Sequence, residues 1–221
     1  MPFTNLKEQE KEQRRSYILD AAEKMFFSRG YDNVSMDDIA GKIGLNKATL
    51  YLYFKNKESL FFAVVLRGAL ILNAMIKERI KKCKSGMEII DAIGIAYLEF
   101  VDKYPDYSRA YLYFRSDRFS IEDNEDLCDD AKKILELRNE EFAIVCKAIE
   151  SGMDEGMIRP DLDPVEVTVF LTLVVKALTE MRPSFNKVLD DRGITQYQFY
   201  KDVAGLVHYM LANTEKGNEK I

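Results

Sequence analysis

Between Ser35 and Lys57 the chain carries side chains suited to one kind of chemistry: hydrogen bonding to the edges of nucleic-acid bases and to phosphate oxygens. Lys47 can donate to guanine O6 and N7 or to a phosphate, and Ala48 is short enough to allow close approach and to touch a thymine methyl group. Tyr51 and Leu52 are predicted on the same outward side. The hydroxyls of Thr49 and Tyr53, and the start of a following helix near Asn56 and Lys57, suit phosphate. With the helix-opening residues included, the candidate DNA-contacting set is Ser35, Asn46, Lys47, Ala48, Thr49, Tyr51, Leu52, Tyr53 and Lys57. A plainer reading makes Tyr51, Tyr53 and Phe54 an aromatic wedge packed on Phe26 and Phe27. That reading is preferred for Phe54, and Tyr53 is expected to turn its ring inward and its hydroxyl out.

Such contacts need two short helices crossing steeply over a tight turn. Ser35 sits where an N-cap belongs, and Asp38 three residues on completes a capping-box pattern. The helix predicted over 36–43 stops at Gly44, which tolerates a positive φ, while Ala40 supplies the small side chain a close crossing requires. Asn46 then caps a second helix over 47–54, with Leu50 facing inward. Upstream, Ile18, Ala21, Ala22, Met25 and Phe26 mark one face of a helix over 15–28, and Gly30 is a natural C-cap. Residues 1–14 have no apolar stripe beyond Leu6 and are expected to form a frayed helical extension or arm. Arg14 and Arg15 at its end suit either phosphate or plain solvation.

Residues 15–62 resemble the DNA-binding domain of the TetR family of bacterial and archaeal regulators. The runs that carry the likeness are ILDAAEKMFFSRGYDNVSMDDIA, GLNKATLYLYF and KNKESLF. By that resemblance Gly30 and Tyr31 close helix one, 35–44 is helix two, 46–53 is the reading helix and Lys57 opens helix four. The family implies a homodimer on an operator palindrome, usually a repressor, released by a ligand. Ala48 departs from the pattern, since many members have glycine there; the change is small.

The rest of the chain reads as helices. One runs over 57–82 and leaves the DNA-reading unit, and the resemblance favours a role in transmitting motion. Another spans 87–103 and stops before Pro105. Around that break lies a dense aromatic population, from which the candidate ligand pocket is Met75, Tyr97, Phe100, Tyr104, Tyr107, Tyr111 and Phe114. An aromatic stripe at helical spacing is more often core than pocket. Arg109, Arg115 and Arg118 could neutralise an acidic ligand, although a surface role suits them better. Residues 120–130 are acidic but lack the oxygen-ligand spacing of a calcium loop. A long helix follows over 127–155, then a linker over 156–164 that is similar to one found in many TetR regulators.

Residues 165–181 are ambiguous, because Val165, Val167, Val169, Leu171, Leu173 and Val175 alternate as in a strand. No other segment offers a strand partner, and a lone strand leaves its backbone unpaired. A helix is therefore predicted, apolar nearly all round and needing cover on two sides. With a last helix over 196–213 it would form a four-helix dimer interface between two copies. The tail 215–221 is expected to be unstructured.

Composition narrows the classes. The net charge of −5 argues at first against nucleic acid. The first 60 residues, however, hold ten Lys and Arg against nine Asp and Glu. Three widely spaced cysteines fit a reducing cytosol rather than a disulfide framework or zinc site. The polar N-terminus is unlike a secretory signal, and no stretch of about 18 uncharged apolar residues suggests a membrane span. With a single histidine, His208, no nucleotide-binding glycine run and no nucleophile elbow, an enzyme is not expected.

The expected fold is therefore all-α with about nine helices. Residues 1–56 would form a three-helix, helix-turn-helix DNA-binding domain, with 1–14 as its extension, and 57–221 a larger ligand-binding and dimerisation domain. The expected function is a cytoplasmic repressor that binds double-stranded operator DNA as a homodimer through its last two long helices. Its effector would be a small apolar or amphipathic molecule, with no cofactor, metal or membrane partner. The alternative is a DNA-binding regulator controlled by a protein partner without a small-molecule effector.

Overall fold

Strong local signals set most helix boundaries. The computed structural model describes residues 2–116, 118, 119, 121 and 126–214, and within them there are ten helices and no strand. In order they are α1 (Pro2–Arg29), α2 (Met36–Ile43), α3 (Lys47–Tyr51), α4 (Lys57–Ile80), α5 (Gly86–Lys103), α6 (Pro105–Phe114), α7 (Asp129–Asp154), α8 (Pro164–Thr179), α9 (Pro183–Asp190) and α10 (Gln196–Leu211). The helix not foreseen is α9, a short one whose apolar residues Phe185, Val188 and Leu189 share one face although none of its residues is buried. The polar stretch predicted as a frayed extension is the first half of α1, which runs unbroken from Pro2. Residues 120 and 122–125 of the acidic run 120–130, and the tail 215–221, lie outside the described residues.

The chain forms two compact units, each assembled from separated stretches: Met1–Leu70 with Asp106–Glu136, and Ile71–Pro105 with Leu137–Ile221. Both α4 and α7 run from one unit into the other. In the first unit, Ile18, Ala22, Met25 and Phe26 of α1, Ile39 and Ala40 of α2, and Leu50 of α3 share a core with Leu60–Val65 of α4. Ala110 and Phe114 of α6 and Ala131 and Ile134 of α7 close it. Ile18, Ile39 and Leu50 are fully buried. Each contributes about 2 kcal/mol, against about 1 kcal/mol for a helix cap. Burial therefore decides which face points inward, and caps decide where each helix starts.

The second unit has a smaller core of Met87 and Ile90 from α5, Ala148 and Ile149 from α7, Ile158, Val167 of α8 and Leu211 of α10. Here α5 packs against both α8 and α10. The end of α10 is pinned to the linker after α7: Arg159 N–H donates to Leu211 C=O at 3.0 Å, and Asn213 N–H to Met157 C=O at 2.9 Å. The ambiguous segment is helical. Asp163 caps it by accepting from Val165 and Glu166 N–H at 2.8 and 3.0 Å, and Pro164 sits in its first turn. Among the described residues α8 packs into this core through Val167 and Leu171, while Val165, Val169, Phe170 and Leu173 are exposed.

By length and composition α4 alone among the described helices is apolar enough to cross a membrane. Its fully or nearly fully buried residues from Leu60 to Val65, together with Leu72 and Ile76, mark it as a core helix instead.

Candidate nucleic-acid interface

The turn between α2 and α3 is built as its residues require. Ser35 Oγ accepts from Asp38 N–H at 3.1 Å, and the Asp38 carboxylate accepts from Ser35 N–H at 2.8 Å, a reciprocal cap. The Ser35 hydroxyl also donates to that carboxylate, and it and then the Ser35 N–H hold the Asp38 carboxyl below its ordinary value. Gly44 closes α2 in the left-handed region at φ 67°, and Leu45 N–H reaches Ala40 C=O at 3.0 Å. Ala40 is buried at the crossing. Asn46 Oδ1 accepts from the backbone N–H and the hydroxyl of Thr49, at 2.8 and 2.7 Å, and so starts α3.

On α3 the inward and outward sides separate cleanly. Leu50 is fully buried and Phe54 nearly so, in the core that holds Phe26. Lys47, Ala48, Tyr51 and Leu52 are exposed, Leu52 at 78%. Tyr53 is half-buried against the core. Six of the nine candidate residues line two shallow grooves. Ser35, Lys47, Tyr51 and Lys57 line one with Asp32 and Asn33. Leu52 and Tyr53 line the other with Glu8, Lys11, Glu12 and Arg15 of α1. Arg15 is engaged within the unit, 2.8 Å from Asp130 and over the Phe54 ring at 5.0 Å.

Lys57 has a structural duty that spacing does not show. Its Nζ donates to Tyr31 C=O at 3.0 Å and lies 4.1 Å from the centre of the Tyr31 ring. Asn56 Oδ1 meanwhile accepts from Ser59 N–H at 2.7 Å and caps α4. Sequence reasoning passed over Asp37, whose carboxylate takes a hydrogen bond from Lys47 Nζ at 2.7 Å and raises the lysine's pKa. The ten-residue spacing joins the first turns of two helices, which only the turn geometry brings together.

The turn between α1 and α2 is clamped from α6 and the segment after it. Tyr31 stacks on Phe26 and meets Phe61 and Tyr113 at a tilt and Phe119 edge-on, with ring centres 4.8–5.8 Å apart. Tyr113 donates to Asp32 at 2.7 Å, and Arg118 pairs with the same carboxylate. Burial, helped by Glu58, pushes the Tyr31 phenol from 10.0 up to about 12. The folded chain thus holds this proton more tightly than the unfolded chain does. The resulting stability is whole below pH 10 and is lost as the pH rises through about 12. Melting followed by circular dichroism is expected to be insensitive to this group below pH 10 and to drop across that interval; a flat profile to pH 12 would contradict a buried phenol.

Of the candidate pocket residues, Met75, Tyr97, Phe100 and Tyr104 belong to the second unit, where buried Phe100 lies 5.8 Å from the Tyr104 ring. Tyr107, Tyr111 and Phe114 belong to the first. Tyr107 donates to Glu23 at 2.7 Å and packs edge-on against Phe27, Phe114 is buried against Phe62, and Tyr111 stacks on Phe114. The arginines of this region have partners too. Arg109 pairs with Asp106, and Arg115 lies over the Tyr111 ring at 5.9 Å. Among the described residues no cluster of His, Cys, Asp and Glu is arranged to hold a metal.

Two capped helices over a left-handed glycine turn, the second with an exposed first turn, define a helix-turn-helix DNA-reading unit. Comparison with known proteins agrees. The sequence profile of bacterial regulatory proteins of the tetR family matches residues 18–64. The HTH-type transcriptional regulator YhgD of Bacillus subtilis strain 168 is 30% identical over 166 residues, which is 72% of this chain and 78% of YhgD. The HTH-type transcriptional activator FasR of Mycolicibacterium smegmatis is 29% identical over 92 residues, 42% of each chain, so more than half of FasR is left unmatched. Among solved structures, AibR in complex with isovaleryl coenzyme A and operator DNA superposes with a TM-score of 0.64 at 21% identity, covering 87% of this chain and 97% of AibR. At that identity the match speaks for the fold alone. The chain belongs to the TetR family of transcriptional regulators, which are not enzymes.

Proposed function

We propose that this chain is a cytoplasmic, ligand-responsive repressor that binds a pseudo-palindromic operator as a homodimer. Residues 1–56 would meet DNA, and 57–221 would serve dimerisation and effector binding. The observation that carries the reading is the exposed first turn of α3, with Lys47, Ala48 and Tyr51 outward and Leu50 locked inward. Two such helices on a symmetric dimer, set about 34 Å apart or somewhat more, would read two half-sites. Ser35, Asn46, Thr49, Leu52, Tyr53 and Lys57 would flank the reading residues and position the backbone. The proposed effector is small and apolar or amphipathic, bound among Tyr97, Phe100, Tyr104 and Met75 of the second unit. It would release DNA by binding the two conformations of the dimer unequally. That AibR was solved with isovaleryl coenzyme A and operator DNA supports a ligand-linked reading.

Selection of bound sequences from random duplexes, repeated with candidate ligands, tests the whole reading. A palindromic consensus is expected, and recovery of no sequence preference would overturn it. Lys57→Ala should weaken binding to all sequences and flatten the salt dependence, whereas Lys47→Ala or Tyr51→Ala should change the preferred bases. Uniform loss from all three would remove the distinction between positioning and reading.

A further inference from the structure

The lysine proposed to read bases does not stand alone on its helix. Lys47 is the first residue of α3, and its ammonium is held 2.7 Å from the carboxylate of Asp37 in the first turn of α2. Both side chains are well exposed, and both line the groove that contains Ser35, Tyr51 and Lys57. The capping box of α2 does not use Asp37, because Ser35 and Asp38 complete it. A carboxylate on a surface meant for phosphates repels the partner, and the first 60 residues have little positive charge in reserve.

Resting on the regulator reading above, we propose that Asp37 is a specificity-determining residue that acts through Lys47. An ammonium on a four-carbon stem reaches any nearby phosphate, and such contacts raise affinity without regard to sequence. Asp37 occupies one of the three Lys47 donors and fixes the direction of the other two. It also cancels much of the charge that would release counterions on unrelated DNA. On the operator, where guanine O6 and N7 meet the remaining donors, the hydrogen bonds offset the repulsion. The carboxylate thus penalises wrong sites more than right ones.

The test compares wild type, Asp37→Asn, Lys47→Ala and the double variant on the selected operator and on an unrelated duplex, over a range of salt concentrations. Asp37→Asn is expected to tighten the unrelated complex about two- to fivefold. Its salt dependence should steepen by about one per reading helix. Operator affinity should change less, so the ratio of the two affinities falls. In the Lys47→Ala background the same change should leave the ratio where it was. Equal tightening on both duplexes, a weaker operator complex, or a shift in the ratio that persists without Lys47 would each overturn the inference. A wild-type chain with no preferred sequence overturns the regulator reading and this inference with it. A wild type that discriminates, with a ratio insensitive to Asp37, overturns this inference alone.

Discussion

Replacing Leu173 with lysine is expected to leave the protomer folded, abolish dimerisation and lower operator affinity by about two orders of magnitude or more. Along α8, Val165, Val169 and Leu173 fall at steps of four residues and are 53%, 45% and 58% exposed, and Phe170 beside them is 40% exposed. The opposite side of the same helix already packs into the core of the second unit through Val167 and Leu171. A helix apolar on both sides is stable in water only when both are covered. On α10, Leu206 and Met210 are likewise exposed, at 65% and 47%. A second copy related by a two-fold axis would cover these surfaces, and one substitution would then place an unpaired charge twice in the interface. Breaking contact by burying an unpaired charge costs several kcal/mol, whereas an exposed position shifts protomer stability by only about 0.5 kcal/mol. Light scattering after size exclusion reads the assembly, and circular dichroism reads the fold. A variant still dimeric at micromolar concentration would place the interface elsewhere, and a wild-type monomer would remove it.

The second large effect concerns two glycines of α5 that should respond in opposite directions. A Cβ on Gly86 would lie 1.9 Å from Ala148 O and 2.5 Å from Gly152 N, both backbone atoms of α7. The Gly86 N–H also points at the Glu155 carboxylate, at 3.2 Å. Here α5 begins with its main chain pressed onto that of α7, and no rotamer change can make room. Gly86→Ala is expected to cost about 3 kcal/mol or more. Gly94 in the same helix meets nothing within 4 Å of its would-be Cβ. Gly94→Ala should therefore stabilise by about 0.5–1 kcal/mol, the ordinary helix gain. Urea unfolding of the two variants checks the pair. Equal effects would mean that α5 does not approach α7 as described.

The legible part of the chain is the part whose causes are local. Ser35 and Asp38, Ala40 and Gly44, and Asn46 and Thr49 interact over three or four residues, so their spacing alone announced two capped helices and a turn. The inward placement of Leu50 followed from the second helix, which ends at Tyr51 rather than at 54, and Phe54 is buried just beyond it. What spacing hid are contacts between distant residues. Tyr107 is a candidate pocket aromatic by spacing, and its hydroxyl also donates to Glu23, 84 positions away. Lys57 looked like a phosphate contact, yet its ammonium also holds the Tyr31 carbonyl, 26 positions earlier. In α8 the alternation of β-branched residues imitated a strand, and the absence of any pairing partner resolved it towards a helix. Short α9 was passed over because it spans only about two turns and its Arg182 start makes no side-chain cap, although Phe185, Val188 and Leu189 share one face.

That 106–136 packs with 1–70 has a consequence for how such regulators can diversify. Gene fusion moves contiguous stretches of chain, and the folded body that carries the reading helices is not contiguous. A recombinant that inherited only its leading stretch would receive Tyr31 and Asp32 without Tyr113 and Arg118, and Phe62 without Phe114. An exchange of the second unit would therefore have to keep α4 and α7, whose residues are shared between the two units. In this lineage the DNA specificity and its aromatic clamp should be inherited together.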